Sequence, residues 1–224
     1  MIIEILAAIA GTYYIKNRPT DRVTRWFVIF LWMTVLVETV CSYAPIAYFS
    51  EYKYFSFVEC TYFADNVWIY NVSAIASFSF LSYYFYTFLK GRLIRRGVKY
   101  AIISYIFSSV LYLLIFEGIF FRELSQFSNI VGTLLLLTVI VIFYFQLLKS
   151  DLILNLKFFL PFYISIGVLI FNLVITPIDI FEDFYSGENI LFSKFKNMAY
   201  LFSNLFMYSS FILGFMICRS KKSY

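Results

Sequence analysis

Seven apolar runs, most of them long enough to cross a membrane as a helix, constrain this chain more than any other feature. A transmembrane helix needs about 20 mostly apolar residues. The runs cover 2–15, 26–49, 67–89, 100–120, 129–148, 158–181 and 198–218. Hydrophobic residues make up 62% of the chain and charged residues 14%, whereas soluble domains are about half apolar and about a quarter charged. We therefore predict an all-α integral membrane protein in which residues 1–224 form a single domain of seven transmembrane helices.

Basic residues are concentrated in alternate connections between these runs. Loops 16–25, 90–99 and 149–157 and the C-terminal tail together hold 14 of the 18 Lys and Arg residues. Because short basic loops remain in the cytoplasm, the pattern predicts an outside N-terminus and an inside C-terminus. Topology alone accounts for these charges, and the alternative is that 90–99 also contacts a cytoplasmic protein or anionic lipid. Since the charges orient the chain in this way, we predict no nucleic-acid partner.

A weak internal repeat relates the first three runs to the last three. The second run ends in "PIAYFSE" from Pro45, and the sixth ends in "PIDIFED" from Pro177, an offset of 132 residues. At this offset the first, second and third runs fall on the fifth, sixth and seventh without gaps. Two parallel three-helix units need one extra helix between them. We therefore predict a three-plus-one-plus-three plan, with repeats 1–89 and 129–218 linked by helix 100–120.

This plan resembles that of the superfamily of PQ-loop sugar transporters, microbial rhodopsins and related receptors, in architecture only. No proline is followed by glutamine, and the seventh run "MAYLFSNLFMYSSFILGFMIC" lacks the lysine that retinal requires. The stretch "FQLLKSDLILNLKFFLPFYISIGVLIFNL" is similar to small, uncharacterised bacterial seven-helix membrane proteins. That resemblance implies a bacterial inner membrane and brings no activity with it.

One carboxylate, Glu38, lies near the centre of the second run. It is twelve residues from Trp26 and eleven from Phe49, which places it near the membrane midplane. A charged side chain there costs roughly 2.5–3.5 kcal/mol on insertion scales. We expect Glu38 to face the bundle interior and to be either protonated or solvated through a water-filled cavity. By contrast, three other acids of the apolar runs are expected near outer ends, in reach of water: Glu4, Glu117 and Asp179.

Polar stripes on four runs predict a pocket that extends from the midplane toward the outside. The stripe around Glu38 contains Thr34 and Ser42 at helical spacing. The other stripes contain Asn71, Ser73 and Ser77 in the third run, Asn172 and Thr176 in the sixth, and Asn204 and Tyr208 in the seventh. We predict that these side chains bind a ligand or proton. The alternative is that they only hydrogen-bond between helices, with Glu38 a protonated packing residue.

Three functions are consistent with these patterns. The first is transport of a small solute through the Glu38 pocket, with or without coupled protons. The second is a receptor or sensor that binds a ligand or proton in that pocket and signals to a cytoplasmic partner. The third is an intramembrane enzyme acting on lipid, which is disfavoured because the chain has no histidine and one central acid. We predict a transport protein without catalytic residues, metal, cofactor or disulfide framework, whose partners are the bilayer and a solute.

Overall fold

The computed structural model describes residues 1–17, 20–59, 61–182 and 190–219. Within these ranges all secondary-structure elements are α-helices or 3₁₀-helices, and there is no strand. The α-helices are α1 (Ile2–Lys16), α2 (Arg22–Cys41), α3 (Tyr43–Phe49), α4 (Val67–Tyr86), α5 (Arg92–Ile115), α6 (Glu117–Arg122), α7 (Gln126–Leu148), α8 (Leu160–Glu182) and α9 (Ile190–Arg219). Part of the basic tail (Lys221 and Lys222) and of the 16–25 loop (Arg18) lies outside the described residues.

Five helical stretches are long and apolar enough to cross a membrane. They are Arg22–Phe49, Arg92–Ile115, Gln126–Leu148, Leu160–Phe181 and Ile190–Cys218. The other two predicted runs are also helical, but α1 has only 15 residues and α4 carries serines, an asparagine and several tyrosines that lower its mean hydropathy. The described chain is therefore a helical membrane protein with at least five candidate spans.

Pro45 explains why the second run is divided into α2 and α3. Proline has no N–H to donate to the carbonyl four residues earlier, which here belongs to Cys41. The side-chain amide of Asn66 donates to that carbonyl at 2.9 Å instead. The Asn66 amide therefore replaces the backbone donor that proline lacks.

Six helices form a closed ring. Around it, α1 packs on α2, α2 on α4, α4 on α7, α7 on α8, α8 on α9, and α9 on α1. Helix α5 packs outside the ring against α4 and α7. The start of α4 lies beside both α3 and α6, because Asn66 donates to the Cys41 carbonyl and Asn71 donates to the Glu123 carbonyl. Helices α3 and α6 therefore lie at one end, called here the α6 end. The connections 17–21, 87–91 and 149–159 lie at the opposite end.

The opposite end of the ring is closed by buried aromatic side chains, called here the aromatic plug: Phe27, Tyr84, Phe85, Phe143, Phe211 and Phe215. The ring centroid of Phe27 is 5.2 Å from that of Tyr84 and 5.3 Å from that of Phe211. Each of the six side chains is at most 3% exposed. The plug therefore fills the centre of the ring at this end, and a small cavity of about 230 Å³ lies beside it, lined by Arg22, Trp26, Phe80 and Tyr84 among others.

Candidate functional site

A cavity of about 1040 Å³ lies between α2, α4 and α9 and extends toward the α6 end. It is larger than most ligand pockets, which range from about 300 to 1,000 Å³. Its wall is mainly apolar, with polar side chains concentrated along one stretch. The polar lining residues are Thr34, Glu38, Tyr70, Asn71, Ser73, Ser77, Asn129, Lys196, Tyr200 and Asn204. Six of the ten predicted site residues are among them, and we call this space the Glu38 cavity.

Glu38 is partly exposed and faces this cavity, as predicted. The hydroxyl of Tyr70 donates to its Oε2 at 3.5 Å, which is a long hydrogen bond. Within the described residues, no lysine or arginine nitrogen lies within 4.0 Å of this carboxylate. Its remaining lone pairs therefore point to the cavity and can accept hydrogen bonds from water or a ligand.

Three further polar side chains face the same space without a protein partner. Ser77, Asn129 and Asn204 line the cavity, and among the residues that the structure describes none of the three side chains has a hydrogen-bond partner. Thr34 and Ser73 differ, because their hydroxyls donate to their own helices, at the carbonyls of Phe30 (3.1 Å) and Tyr70 (3.0 Å). The ligand-binding capacity of the cavity is thus concentrated at Glu38, Tyr70, Ser77, Asn129 and Asn204.

Asn71 reaches the cavity wall, but its amide is already fully used. The side chain is 2% exposed. Its amide nitrogen donates to the carbonyls of Phe120 and Glu123 at 3.1 and 2.9 Å, and its oxygen accepts from the N–H of Ser125 at 2.8 Å. Asn71 therefore fixes the α6–α7 connection to α4. It is a structural residue in this conformation.

A second cavity of about 550 Å³ lies next to the first, between α7, α8 and α9. Asn172 and Thr176, both predicted site residues, line it. Thr133 of α7 connects them: its hydroxyl is 3.4 Å from the Asn172 oxygen, and that of Thr176 donates to it at 3.2 Å. The two cavities share the wall residues Leu124, Asn129, Phe171 and Tyr200. They are therefore two adjoining compartments rather than the single predicted pocket.

Two acids expected to reach water occupy more specific positions. Asp179 lines the second cavity, and the Tyr200 hydroxyl donates to both of its carboxylate oxygens, at 2.7 and 2.9 Å. Glu4 is 7% exposed, and its Oε2 lies 3.3 Å from the N-terminal ammonium. Glu117 is exposed, as expected. Sequence position alone did not show that Glu4 is buried or that Asp179 accepts hydrogen bonds from Tyr200.

Lys196 is a functional candidate that the sequence analysis missed. It lies in α9, which begins at Ile190, whereas the apolar run was taken to begin at residue 198. It lines the Glu38 cavity, and its ammonium is 5.8 Å from the centroid of the Tyr200 ring. The signal was present in the sequence, because Lys196, Tyr200 and Asn204 are four residues apart and share one helical face.

Two predicted site residues do not line either cavity. Ser42 lies at the end of α2, and its hydroxyl donates to the Glu38 carbonyl at 2.9 Å. Tyr208 is 6% exposed and packs against Phe211 in the core, with ring centroids 5.6 Å apart. Both residues have the predicted helical spacing. Ser42, however, contacts only the backbone of Glu38, and Tyr208 is part of the hydrophobic core.

The arrangement has the chemistry of a binding site. Around an apolar space it offers one carboxylate, a phenol, a hydroxyl and two amides, with the Lys196 ammonium in the same lining. Within the described ranges, no three His, Cys, Asp or Glu side chains come together as metal ligands would. Comparisons of this chain with protein-family models, curated proteins and solved structures found no match.

Proposed function

We propose that this protein binds a small solute in the Glu38 cavity and transports it across a membrane, with Glu38 carrying a proton or contacting the solute. One observation carries this proposal: a large cavity contains a carboxylate without a cationic partner and reaches Trp26 and Phe80, beside the aromatic plug that fills the ring at that end. At the α6 end, Leu124 is 48% exposed and lines both cavities. Access from one end with closure at the other is one half of an alternating-access cycle.

The ring also supports the proposed repeat that such a cycle would use. Adding 132 to the last residues of α1, α3 and α4 gives 148, 181 and 218, and α7, α8 and α9 end at 148, 182 and 219. Exchanging α1, α2 and α4 for α7, α8 and α9 leaves the order around the ring unchanged. Two similar halves that meet around a shared cavity can rock against each other, with α5 as the linking helix.

The aromatic plug contains a feature that favours opening. Tyr84 is 1% exposed, and its hydroxyl has no hydrogen-bond partner among the described residues. An unpaired buried hydroxyl costs about 1–3 kcal/mol. This cost lowers the stability of the closed plug relative to a state in which water reaches the hydroxyl, so it reduces the free energy needed to open the path.

The finer topology belongs to this proposal. In the seven-span arrangement, α1 and α4 cross the membrane together with the five candidate spans, and the α6 end is outside. The exposed residues Arg92, Arg95, Arg96 and Lys99 then face the cytoplasm. The family resemblance favours a bacterial inner membrane.

A receptor is the second candidate, and the same basic residues favour it. Arg92, Arg95, Arg96 and Lys99 are spaced along one side of α5 at the plugged end, and the Arg95 guanidinium stacks 4.9 Å from the Tyr86 ring of α4. A change in α4 on ligand binding would reach this surface directly. In that case the binding of a cytoplasmic protein or anionic lipid at 90–99 would depend on whether the cavity holds a ligand.

Proton flux in liposomes tests the transport proposal. Wild type, Glu38→Gln and the matched control Glu117→Gln would be reconstituted with a pH-sensitive dye inside, and pools of small amines, alcohols, sugars and amino acids added outside. Wild type and the control, whose glutamate is exposed on α6, should move protons with an active pool. Glu38→Gln should lose about tenfold or more of that flux, because the proton-carrying carboxylate is gone.

Each alternative gives a different result in the same assay. Equal flux in wild type and Glu38→Gln would remove Glu38 from the mechanism. A pool that raises the melting temperature of wild type without any solute or proton flux would support the receptor and contradict transport.

A further inference from the structure

We propose that the solute of the Glu38 cavity is an amphiphile that enters from the bilayer, with its alkyl chain between α2 and α4 and an amine or hydroxyl head group at Glu38. This inference rests on the proposed function and assigns its substrate class. It is carried by three independent features of the cavity: its lateral opening, its change from apolar to polar along α2, and the loose packing of α2 on α4.

The cavity is open on the side of the bundle. Trp26, Ile29 and Met33 line it and are nevertheless 54%, 59% and 53% exposed. These residues belong to the candidate span Arg22–Phe49, so their exposed surface faces hydrocarbon in a bilayer. A ligand with an alkyl chain can therefore reach the cavity without first passing through water.

The lining changes character along α2. Trp26, Ile29, Phe30 and Met33 are apolar, and Glu38 lies twelve residues beyond Trp26, or about 18 Å along the helix axis. Helix α4 shows the same change, from Phe80 near the plug to Tyr70 near Glu38. An apolar channel of this length that ends in hydrogen-bonding groups matches an amphiphile better than it matches a sugar or an amino acid.

The polar end selects the head group. When it is ionised, the Glu38 carboxylate accepts hydrogen bonds but cannot donate them. In the structure it accepts one long hydrogen bond, from the Tyr70 hydroxyl. The unpartnered amide of Asn204 and hydroxyl of Ser77 can each donate and accept. An ammonium or hydroxyl head group satisfies Glu38. A carboxylate head group would be repelled by Glu38 and could pair only with Lys196, the cation that lines the same cavity on α9.

The loose contact between α2 and α4 leaves room for the chain. Their proposed counterparts α8 and α9 pack closely, because a Cβ on Gly167 would already be 3.0 Å from the Met207 carbonyl oxygen and would collide with Ser210. At the offset of 132 residues, Gly167 corresponds to Val35 and Ser210 to Phe78. The α2–α4 pair therefore lacks the glycine and serine that bring α8 and α9 together, and Phe78 packs instead against Gly132 of α7 and Tyr105 of α5.

Photolabelling tests the substrate class. Wild-type protein in nanodiscs would be exposed to a long-chain alkylamine with a diazirine at the chain end, irradiated, and mapped by mass spectrometry. Labels are expected on the cavity residues Trp26, Met33 and Phe80. Unlabelled alkylamine and long-chain alcohol should compete, whereas a fatty acid of the same length should not.

Two variants distinguish the cavity from the general lipid surface. Ala76→Trp, which fills the cavity wall, should lower this labelling about tenfold, since the bulky ring removes the space that the chain needs. Ala101→Trp is the control, because Ala101 is exposed on α5 and lines neither cavity. Glu38→Gln should weaken competition by the amine more than by the alcohol, and this readout remains if Ala76→Trp does not fold.

Labels spread equally over α5 and α2, or equal competition by the fatty acid, would overturn the substrate class. If a polar solute drives proton flux while the alkylamine neither labels the cavity nor is transported, the substrate class is wrong and the transport function stands. If labelling is specific while no amphiphile or other solute is moved, transport is wrong and the binding class stands.

Discussion

At the residue scale, two asparagines predicted for the same role have different environments. Asn71 is buried and makes hydrogen bonds to four backbone groups in and after α6, those of Ile119, Phe120, Glu123 and Ser125. Asn204 faces the Glu38 cavity, and no partner for its amide occurs in the described part of the chain. Their substitution by alanine should therefore have opposite consequences for stability and binding.

Asn71→Ala should lower the free energy of unfolding by about 1–3 kcal/mol, because buried backbone groups lose their partners. Asn204→Ala should change it by less than about 0.5 kcal/mol and should instead weaken photolabelling by the alkylamine. Thermal unfolding in detergent measures the first effect. Equal melting temperatures for the two variants would show that the Asn71 bonds do not stabilise the fold.

This contrast also shows how far residue patterns carry from sequence. A carboxylate in an apolar run has few acceptable environments, so Glu38 could be placed facing the interior. Helical spacing likewise placed Ser77 and Asn204 on inward faces. It could not show that the α6–α7 connection reaches back to Asn71, because that contact joins residues about fifty positions apart. For the same reason, Thr133 was not predicted as the partner of Asn172 and Thr176.

At the element scale, glycine determines how closely α8 and α9 approach. Gly167→Ala would place its Cβ against Ser210 and 3.0 Å from the Met207 carbonyl. Overpacking of this kind costs about 1–3 kcal/mol, so we expect a lower melting temperature. Gly97→Ala on α5 is the control, because no atom lies within 4 Å of the added Cβ, and it should raise stability by about 0.5–1 kcal/mol. A melting temperature unchanged by Gly167→Ala would mean that the α8–α9 contact yields easily.

Helix positions could be predicted from apolar periodicity, but helix starts could not be located precisely. All seven predicted runs contain a helix, yet α9 begins at Ile190 rather than near residue 198. Its first turns mix lysines with aromatic residues, so hydropathy alone assigned them to a loop. The tertiary contact of Tyr200 with Asp179 helps to keep this part of α9 against α8. Because α9 begins eight residues earlier than predicted, Lys196 belongs to the helix and lines the Glu38 cavity.

At the scale of the whole molecule, the proposed seven crossings differ from a five-span alternative in the placement of α4. If α4 crosses, residues 61 and 90, on either side of it, lie on opposite faces of the membrane; if it does not, they share one face. Thr61→Cys and Lys90→Cys, made separately in a Cys60→Ser background in which the buried Cys41 and Cys218 are retained, should react with an impermeant maleimide from opposite sides. Asn17→Cys should behave like Lys90→Cys in the seven-span arrangement. Labelling of residues 61 and 90 from the same side would exclude it.

Among the neighbouring helices of the closed ring, α2 and α4 have the smallest contact. If the ring is compressed, the contact with the least packing should change first, and α2 and α4 also form the wall of the Glu38 cavity. Lateral pressure in the bilayer therefore acts on the volume of the site: compression of the chains narrows it, and stretching of the membrane widens it. If the cavity binds a ligand as proposed, bilayer tension would change the affinity without any change in the residues that touch the ligand.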